Sequence, residues 1–197
     1  MPLVLASQSS IRAALLTRAG LSFDVVAARI DEQSVTASLE LEQATPRNVA
    51  DTLAEMKARK VSDKVGDAMV IGCDQILDLN GSCLSKPITP EHAREQLDLM
   101  QGARHTLLSA AVIIENGQPV WRHVGVVRLH MRPLSSSFIH EYVNRNWDSI
   151  RHAVGCYKLE EEGVRLFSSI DGSYFNVLGL PLIELLNFLT VRGILET

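Results

Sequence analysis

Apolar residues recur along this chain in two spacings, one typical of strands and one typical of helices. Short apolar runs predict strands over Leu3–Ala6, Phe23–Ala27, Met69–Gly72 and Val164–Ser169, and hairpins over Ile76–Leu84 and over Leu107–Ile114 with Val120–Met131. Asn80-Gly81 and Asn116-Gly117 stand at the two hairpin tips, where they favour a tight turn. Helical spacing and capping residues predict helices over Ile11–Ala19, Pro46–Val61, Pro90–Leu99, Ser135–Asn144 and Pro181–Leu189. The alternation predicts an α/β fold, with a mixed β-sheet flanked by helices, and the hairpins argue against a purely parallel sheet.

Length and composition narrow the class of protein. The chain has 197 residues, and we expect one domain over 1–197 because no repeat or linker-like run divides it. A net charge of −4 argues against a nucleic-acid or anionic-lipid surface, and no apolar run approaches the ~20 residues of a membrane span. No signal peptide is apparent, and three scattered cysteines without a CxxC pair favour reduced thiols. We therefore expect a cytoplasmic protein.

The loop between the first strand and the first helix is a candidate phosphate site. Free backbone N–H groups and the positive end of the helix dipole favour an anion there, and Ser7, Ser9 and Ser10 add hydroxyl donors. If Ser9 caps the helix, Arg12 lies one turn further on and can face the same anion. A plain serine cap beside a solvated arginine fits the local pattern equally well.

Further charged residues suit a metal and a polyphosphate. Asp74 comes just after an apolar strand, where sheet enzymes collect ligand-binding groups, although it could simply open the hairpin. Glu32, in an acidic loop after Ile30-Asp31, is a possible second carboxylate for Mg²⁺. Two lysines could point their ammonium groups at phosphates: Lys57 in a predicted helix, and Lys86, which Pro87 restricts to an extended backbone. Single lysines, however, are usually surface residues. Recognised phosphate loops and zinc motifs are missing, the six histidines lack metal-ligand spacing, and His105 is predicted in a turn.

Taken in order, these segments resemble the Maf family of nucleoside triphosphate pyrophosphatases. The family opens with Ala-Ser-x-Ser-Pro-Arg-Arg and continues with Ile-Asp-Glu, Ala-x-x-Lys-Ala, Gly-x-Asp, Gly-Lys-Pro and Gly-Ser-x-x-Asn-Val-x-Gly-Leu-Pro. The matching segments are Ala6–Arg12, Ile30–Glu32, Ala54–Ala58, Gly72–Asp74, Ser85–Pro87 and Gly172–Pro181. A Ser-Gly-x-x-His turn is matched at Gln101–His105, so the resemblance covers nearly the whole chain.

The resemblance implies hydrolysis of a nucleoside triphosphate to the monophosphate and pyrophosphate. Asp74 would be the proton acceptor, and Glu32 with Asp74 would help to hold Mg²⁺ or Mn²⁺. Ser7, Ser9, Arg12, Lys57 and Lys86 would bind the phosphates. The implied architecture, shared with inosine triphosphatases, is a mixed sheet with helices around a long cleft, commonly as a homodimer.

Three positions bear on the choice of base. Asp74-Gln75 and the run Gly155–Glu160 resemble the branch that acts on 7-methyl-GTP, where Glu160 could accept from the guanine N–H groups. Ile11 stands where that branch carries Trp and the dTTP/UTP branch carries Arg. Ser10, Ala13 and Ser85 replace a proline, an arginine and a glycine of the family pattern, which makes the loop less cationic. A dTTP/UTP pyrophosphatase, an inosine-triphosphatase-like enzyme and a weakly catalytic nucleotide-binding regulator of cell division therefore stay open.

Overall fold

The computed structural model describes residues 1–196, and its core is a seven-stranded mixed sheet flanked by seven helices. The strands are β1 Leu3–Ala6, β2 Asp24–Val25, β3 Met69–Leu79, β4 Ser82–Leu84, β5 Arg104–Glu115, β6 Gln118–Met131 and β7 Phe167–Asp171. The helices are α1 Ser10–Arg18, α2 Glu32–Leu41, α3 Pro46–Val65, α4 Pro90–Met100, α5 Ser136–Ile150, α6 Tyr174–Val177 and α7 Leu182–Val191. The sheet order is β2-β1-β3-β5-β6-β7, with β4 also paired to β3. The predicted α/β class is confirmed.

Parallel and antiparallel pairing meet on β3. β1 runs parallel to β2 and β3, whereas β3, β5, β6 and β7 are joined by antiparallel pairing. The asparagines at both hairpin tips, Asn80 and Asn116, have positive φ and precede glycines with positive φ. This is the backbone that a two-residue hairpin turn requires, so both predicted turns are confirmed.

Alternate residues of the strands face two different helical layers, as a pleated sheet requires. Val4, Val70 and Val112 pack with α3, while Leu5, Ile71 and Ile113 pack with α1 and α7 on the opposite face. The third cluster joins the far ends of β3, β5 and β6 to α4 and α5. Within residues 1–196 no helix is long and apolar enough to cross a membrane.

Several predicted boundaries were wrong. The strand predicted over Phe23–Ala27 pairs only at Asp24–Val25, and both residues are exposed. The strand predicted to stop at Gly72 continues without a break to Leu79, so Asp74 lies within β3 and does not open the hairpin. The strand predicted over Val164–Ser169 begins at Phe167, because 3₁₀ turns occupy 162–166.

Candidate active site

A cleft of about 1060 Å³ opens beside the middle of β3, where the pairing partner of that strand changes. β1 pairs with β3 only from Met69 to Gly72, and β4 pairs with it only from Leu77 to Leu79. Within residues 1–196, no strand pairs with that side of β3 between these two stretches. Asp74 and Gln75 lie in this gap, which gives their side chains access to the cleft from within the sheet.

The loop after β1 forms one wall of the cleft and is capped as predicted. Ser9 Oγ accepts a hydrogen bond from the backbone N–H of Arg12 (3.4 Å), and Ser7 Oγ accepts one from the backbone N–H of Ser9 (3.2 Å). The Arg12 side chain is held in place rather than solvated. Its Nε donates to the carbonyl of Gly179 (2.7 Å) and its Nη1 to the carbonyl of Cys73 (3.1 Å). These bonds hold the guanidinium beside β3 and the segment that follows α6.

Lys57 lies between two carboxylates at the base of the cleft. Its Nζ is 2.6 Å from Asp74 Oδ1 and 2.7 Å from Glu32 Oε1. Lys57 comes from α3, Asp74 from β3 and Glu32 from the start of α2, so three separate elements meet at one ammonium group. The side chains of Lys57 and Asp74 are only 9% and 7% exposed, whereas that of Glu32 is 45% exposed. Asp74 Oδ2 accepts no hydrogen bond within residues 1–196.

Burial and charge act in opposite directions on the two carboxylates. Burial raises the pKa of Asp74 above its ordinary value, and the nearby charges of Lys57 and Arg12 only partly offset this. Burial also raises the pKa of Glu32, but Lys57, Lys86 and Arg12 together outweigh it, so the net pKa of Glu32 is lowered. Asp74 is thus the more basic carboxylate, and Glu32 is the one held ionised.

Glu32 begins a helix that the sequence analysis treated as an acidic loop. Asp31 caps α2, because its side chain accepts from both the backbone N–H (3.1 Å) and the hydroxyl (2.8 Å) of Ser34. Val35 and Leu39 are its partly buried apolar residues that pack on the core, and the helix has no fully buried residue. Asp31, three residues before Ser34, was the sequence signal for the start of this helix. The helix was still hard to recognise because its apolar face is short.

All ten candidate residues lie on the walls of this one cleft. They are Ser7, Ser9, Ile11, Arg12, Glu32, Lys57, Asp74, Gln75, Lys86 and Glu160. Lys86 is exposed on the segment after β4, and Glu160 is exposed in the loop before β7. Ile11 is half-buried beside the serine loop. The sequence analysis named these residues one by one, and the fold places them together.

One residue that lines the cleft and three that contact its lining were missed. Tyr157 lines the cleft, and its hydroxyl is 2.9 Å from His105 Nε2. His105 was wrongly predicted in a turn: it is a buried residue of β5, and burial lowers its pKa to about 4. Ser109 went unnoticed, and Asn176 was noted only as part of the Gly172–Pro181 match. Both accept hydrogen bonds from Gln75, Ser109 through its hydroxyl and Asn176 through its carbonyl. Residues 101–105 read locally as a turn, and the extension of β5 from Leu107 back to Arg104 depends on pairing with β6, which no local pattern shows.

Comparisons with known proteins agree with this geometry. The Maf-like protein family matches residues 2–192. A protein of Ruegeria pomeroyi named nucleoside triphosphate pyrophosphatase is 66% identical over 197 residues, which cover 100% of this chain and 99% of the relative. One of Roseobacter denitrificans with the same name is 63% identical, covering 98% and 96%. A Brucella abortus protein named 7-methyl-GTP pyrophosphatase is 47% identical over 184 residues, covering 93% and 92%. The chain belongs to the Maf family.

Proposed function

We propose that this chain hydrolyses a nucleoside triphosphate to the monophosphate and pyrophosphate. The observation that carries the proposal is the buried Lys57, whose ammonium joins Asp74 to Glu32 at the base of a cleft edged by Arg12 and Lys86. Three cations and a helix N-terminus around one cavity suit a triphosphate, whose transfer chemistry depends mainly on positioning and charge stabilisation. The names of the similar proteins point to the same reaction.

Asp74 is the proton acceptor in this proposal. A water molecule attacks the α-phosphorus, Asp74 takes the proton that the water loses, and the bond between the α-phosphorus and the bridging oxygen to the β-phosphorus breaks. Pyrophosphate leaves with that oxygen, and Lys57, Arg12 and Lys86 stabilise its charge. The raised pKa of Asp74 favours this role because a more basic carboxylate accepts a proton more readily.

A divalent metal, Mg²⁺ or Mn²⁺, fits the donor set only in the presence of substrate. Glu32 and Asp74 already converge on one cation, the Lys57 ammonium, and carboxylate oxygens are the ligands that Mg²⁺ prefers. Within residues 1–196 no three His, Cys, Asp or Glu side chains are grouped to hold a metal alone. Glu32 and Asp74 would therefore hold it together with phosphate oxygens and water. The bound metal would neutralise charge on the phosphates.

For the base we propose 7-methylguanine or another modified purine. Gln75 and Glu160 both line the cleft, and their oxygens can accept from the N–H groups of guanine, while the Glu160 carboxylate also suits a cationic ring. The relative named 7-methyl-GTP pyrophosphatase supports this substrate. Ile11 offers no aromatic face for stacking, so recognition rests on the polar groups.

The test is a panel of nucleoside triphosphates with Mg²⁺ or Mn²⁺, read by pyrophosphate release. The panel contains 7-methyl-GTP, GTP, dTTP, UTP and inosine triphosphate. We expect pyrophosphate and monophosphate, with 7-methyl-GTP fastest. Faster turnover of dTTP and UTP than of 7-methyl-GTP would contradict the proposed base but leave the proposed reaction intact. Nucleotide binding without any pyrophosphate would refute the reaction and favour a regulator.

A further inference from the structure

A row of three residues crosses the sheet on the face away from Lys57. Gln75 of β3 pairs with Ser109 of β5, and Ser109 pairs with Gly125 of β6. Directly paired residues of antiparallel strands project on the same side, whereas the neighbouring Asp74 projects on the other. The short helix α6 lies against this row through Asn176.

Hydrogen bonds fix which end of the Gln75 amide faces inward. Ser109 Oγ donates to the carbonyl oxygen of Asn176 (2.6 Å), and Ser109 is fully buried. Gln75 Nε2 is 3.0 Å from each of three oxygens: Ser109 Oγ and the carbonyls of Asn176 and Val177. Carbonyl oxygens only accept, and the serine hydrogen is already used, so only the amide nitrogen can face this group.

The remaining end of the amide is its oxygen. Gln75 Oε1 accepts no hydrogen bond within the described chain and is not among its buried unpartnered atoms, and Gln75 lines the cleft. A glutamine free to rotate can turn either its N–H₂ or its oxygen to a base. Here only the acceptor is available to a ligand.

Gly125 makes the row possible. A methyl group in its place would overlap the side-chain amide of Asn176, because that amide occupies the space above residue 125. The absence of a side chain on β6 therefore lets α6 come close enough for its carbonyl oxygens to reach Ser109 and Gln75. Gln75 is the member of the row that lines the cleft, so the row can act on a bound nucleotide only through Gln75.

We propose that Ser109 is a positioning residue that locks the Gln75 amide with its oxygen toward the base. The locked oxygen favours bases whose ring nitrogen carries a hydrogen, such as guanine at N1, and disfavours adenine, whose N1 lone pair would face it. The proposal rests on the proposed function, since it requires a nucleotide in this cleft. It adds a buried side chain that acts only through Gln75.

Calorimetric titration with non-hydrolysable α,β-methylene analogues of GTP and ATP tests this without requiring turnover. The wild type should prefer the GTP analogue. Ser109→Ala removes one of the three acceptors and also the hydroxyl that holds the Asn176 carbonyl in place. It should reduce the ratio of the two affinities about threefold to tenfold, the worth of about one hydrogen bond, chiefly by binding the ATP analogue more tightly. Ser109→Thr keeps the hydroxyl and should retain the ratio. Ser62→Ala, which removes a buried serine hydroxyl of α3 outside the cleft, should leave the ratio unchanged.

Three outcomes would overturn this proposal by itself. One is a folded Ser109→Ala variant with the wild-type ratio, and another is an equal loss of affinity for both analogues. If Ser109→Ala fails to fold, Gln75→Met tests the same lock, because it removes the amide oxygen and should bring the affinity ratio close to one. An unchanged ratio in Gln75→Met is the third overturning outcome. Failure of the wild type to bind either analogue would overturn the proposed function together with this inference. A changed ratio in a protein without pyrophosphatase activity would overturn the reaction alone.

Discussion

Removing the Lys57 ammonium should destabilise the protein as well as inactivate it. Lys57→Met keeps most of the side-chain volume but leaves the Asp74 carboxylate, 7% exposed, without the cation 2.6 Å from it. Breaking one side of a buried ion pair typically costs about 3–5 kcal/mol, because the remaining charge stays buried and unpaired. Glu32 is 45% exposed and can be hydrated, so we assign the loss to Asp74. We expect the free energy of unfolding to fall by about 3 kcal/mol or more at pH 7.

The loss should depend on pH in a defined direction. The pKa of Asp74 is raised in the folded protein above the ordinary value of 3.8, and Lys57 is the main group that opposes this rise. Without Lys57 the folded pKa rises further. A carboxyl with a raised folded pKa binds more protons folded than unfolded, so stability falls as the pH increases from 3.8 to the folded pKa. The Lys57→Met variant should therefore lie closest to the wild type in acid.

Urea unfolding in a double-mutant cycle measures the effect. Asp74→Asn in the Lys57→Met background removes the buried charge and should recover about 2 kcal/mol of the lost stability. Lys64→Met, an exposed lysine on the same helix, is the matched control and should change stability by less than about 0.5 kcal/mol. Full stability of Lys57→Met at pH 7, or a deficit that Asp74→Asn does not relieve, would refute this account of the site.

Three further predictions concern the fold and the metal. Burial lowers the pKa of His105 from 6.5 to about 4, so the unfolded chain binds more protons than the folded protein between these two pH values. The free energy of unfolding should therefore fall by up to about 1.4 kcal/mol per pH unit as the pH is lowered from 6.5 to 4. In urea unfolding, His105→Gln should flatten that slope. In the same assay Gly72→Ala should lower the free energy of unfolding by about 3 kcal/mol, because a methyl group would overlap the carbonyl oxygen of Ala54 on α3. A variant as stable as the wild type would show instead that α3 can move away. A chelator should abolish pyrophosphate release, and added Mg²⁺ or Mn²⁺ should restore it. Removing the metal should change the melting temperature little, because Lys57 already joins the two carboxylates. Activity that persists in the chelator would contradict the metal assignment.

The fold was largely predictable because its signals are local. The two Asn-Gly turns, the prolines and threonines that open α3 and α4, and the serine cap of α1 each act within a few residues. The misses lie where tertiary contacts decide. β3 continues past Gly72 through polar residues because β5 pairs with it from Met69 to Asp78, and α6 is too short to give a periodic pattern.

The site was predictable by residue but not by arrangement. Lys57 and Asp74 are 17 positions apart, and their ion pair forms only because Gly72 lets α3 lie close to β3. The partners of Gln75 are 34, 101 and 102 positions away, beyond the reach of any local pattern. Motif order predicted residues that the fold brings to one cleft, whereas the contacts among them depend on strand register and on the approach of α6.

Hydrolysis in ¹⁸O-labelled water tests the central claim, attack on the α-phosphorus with Asp74 as the proton acceptor. With 7-methyl-GTP as substrate, phosphorus NMR and mass spectrometry locate the label, and Asp74→Asn is run beside the wild type. We predict one labelled oxygen on the monophosphate, none on pyrophosphate, and a rate for Asp74→Asn reduced about 10²-fold or more. Label in pyrophosphate or inorganic phosphate, or an Asp74→Asn variant as fast as the wild type, would contradict the account.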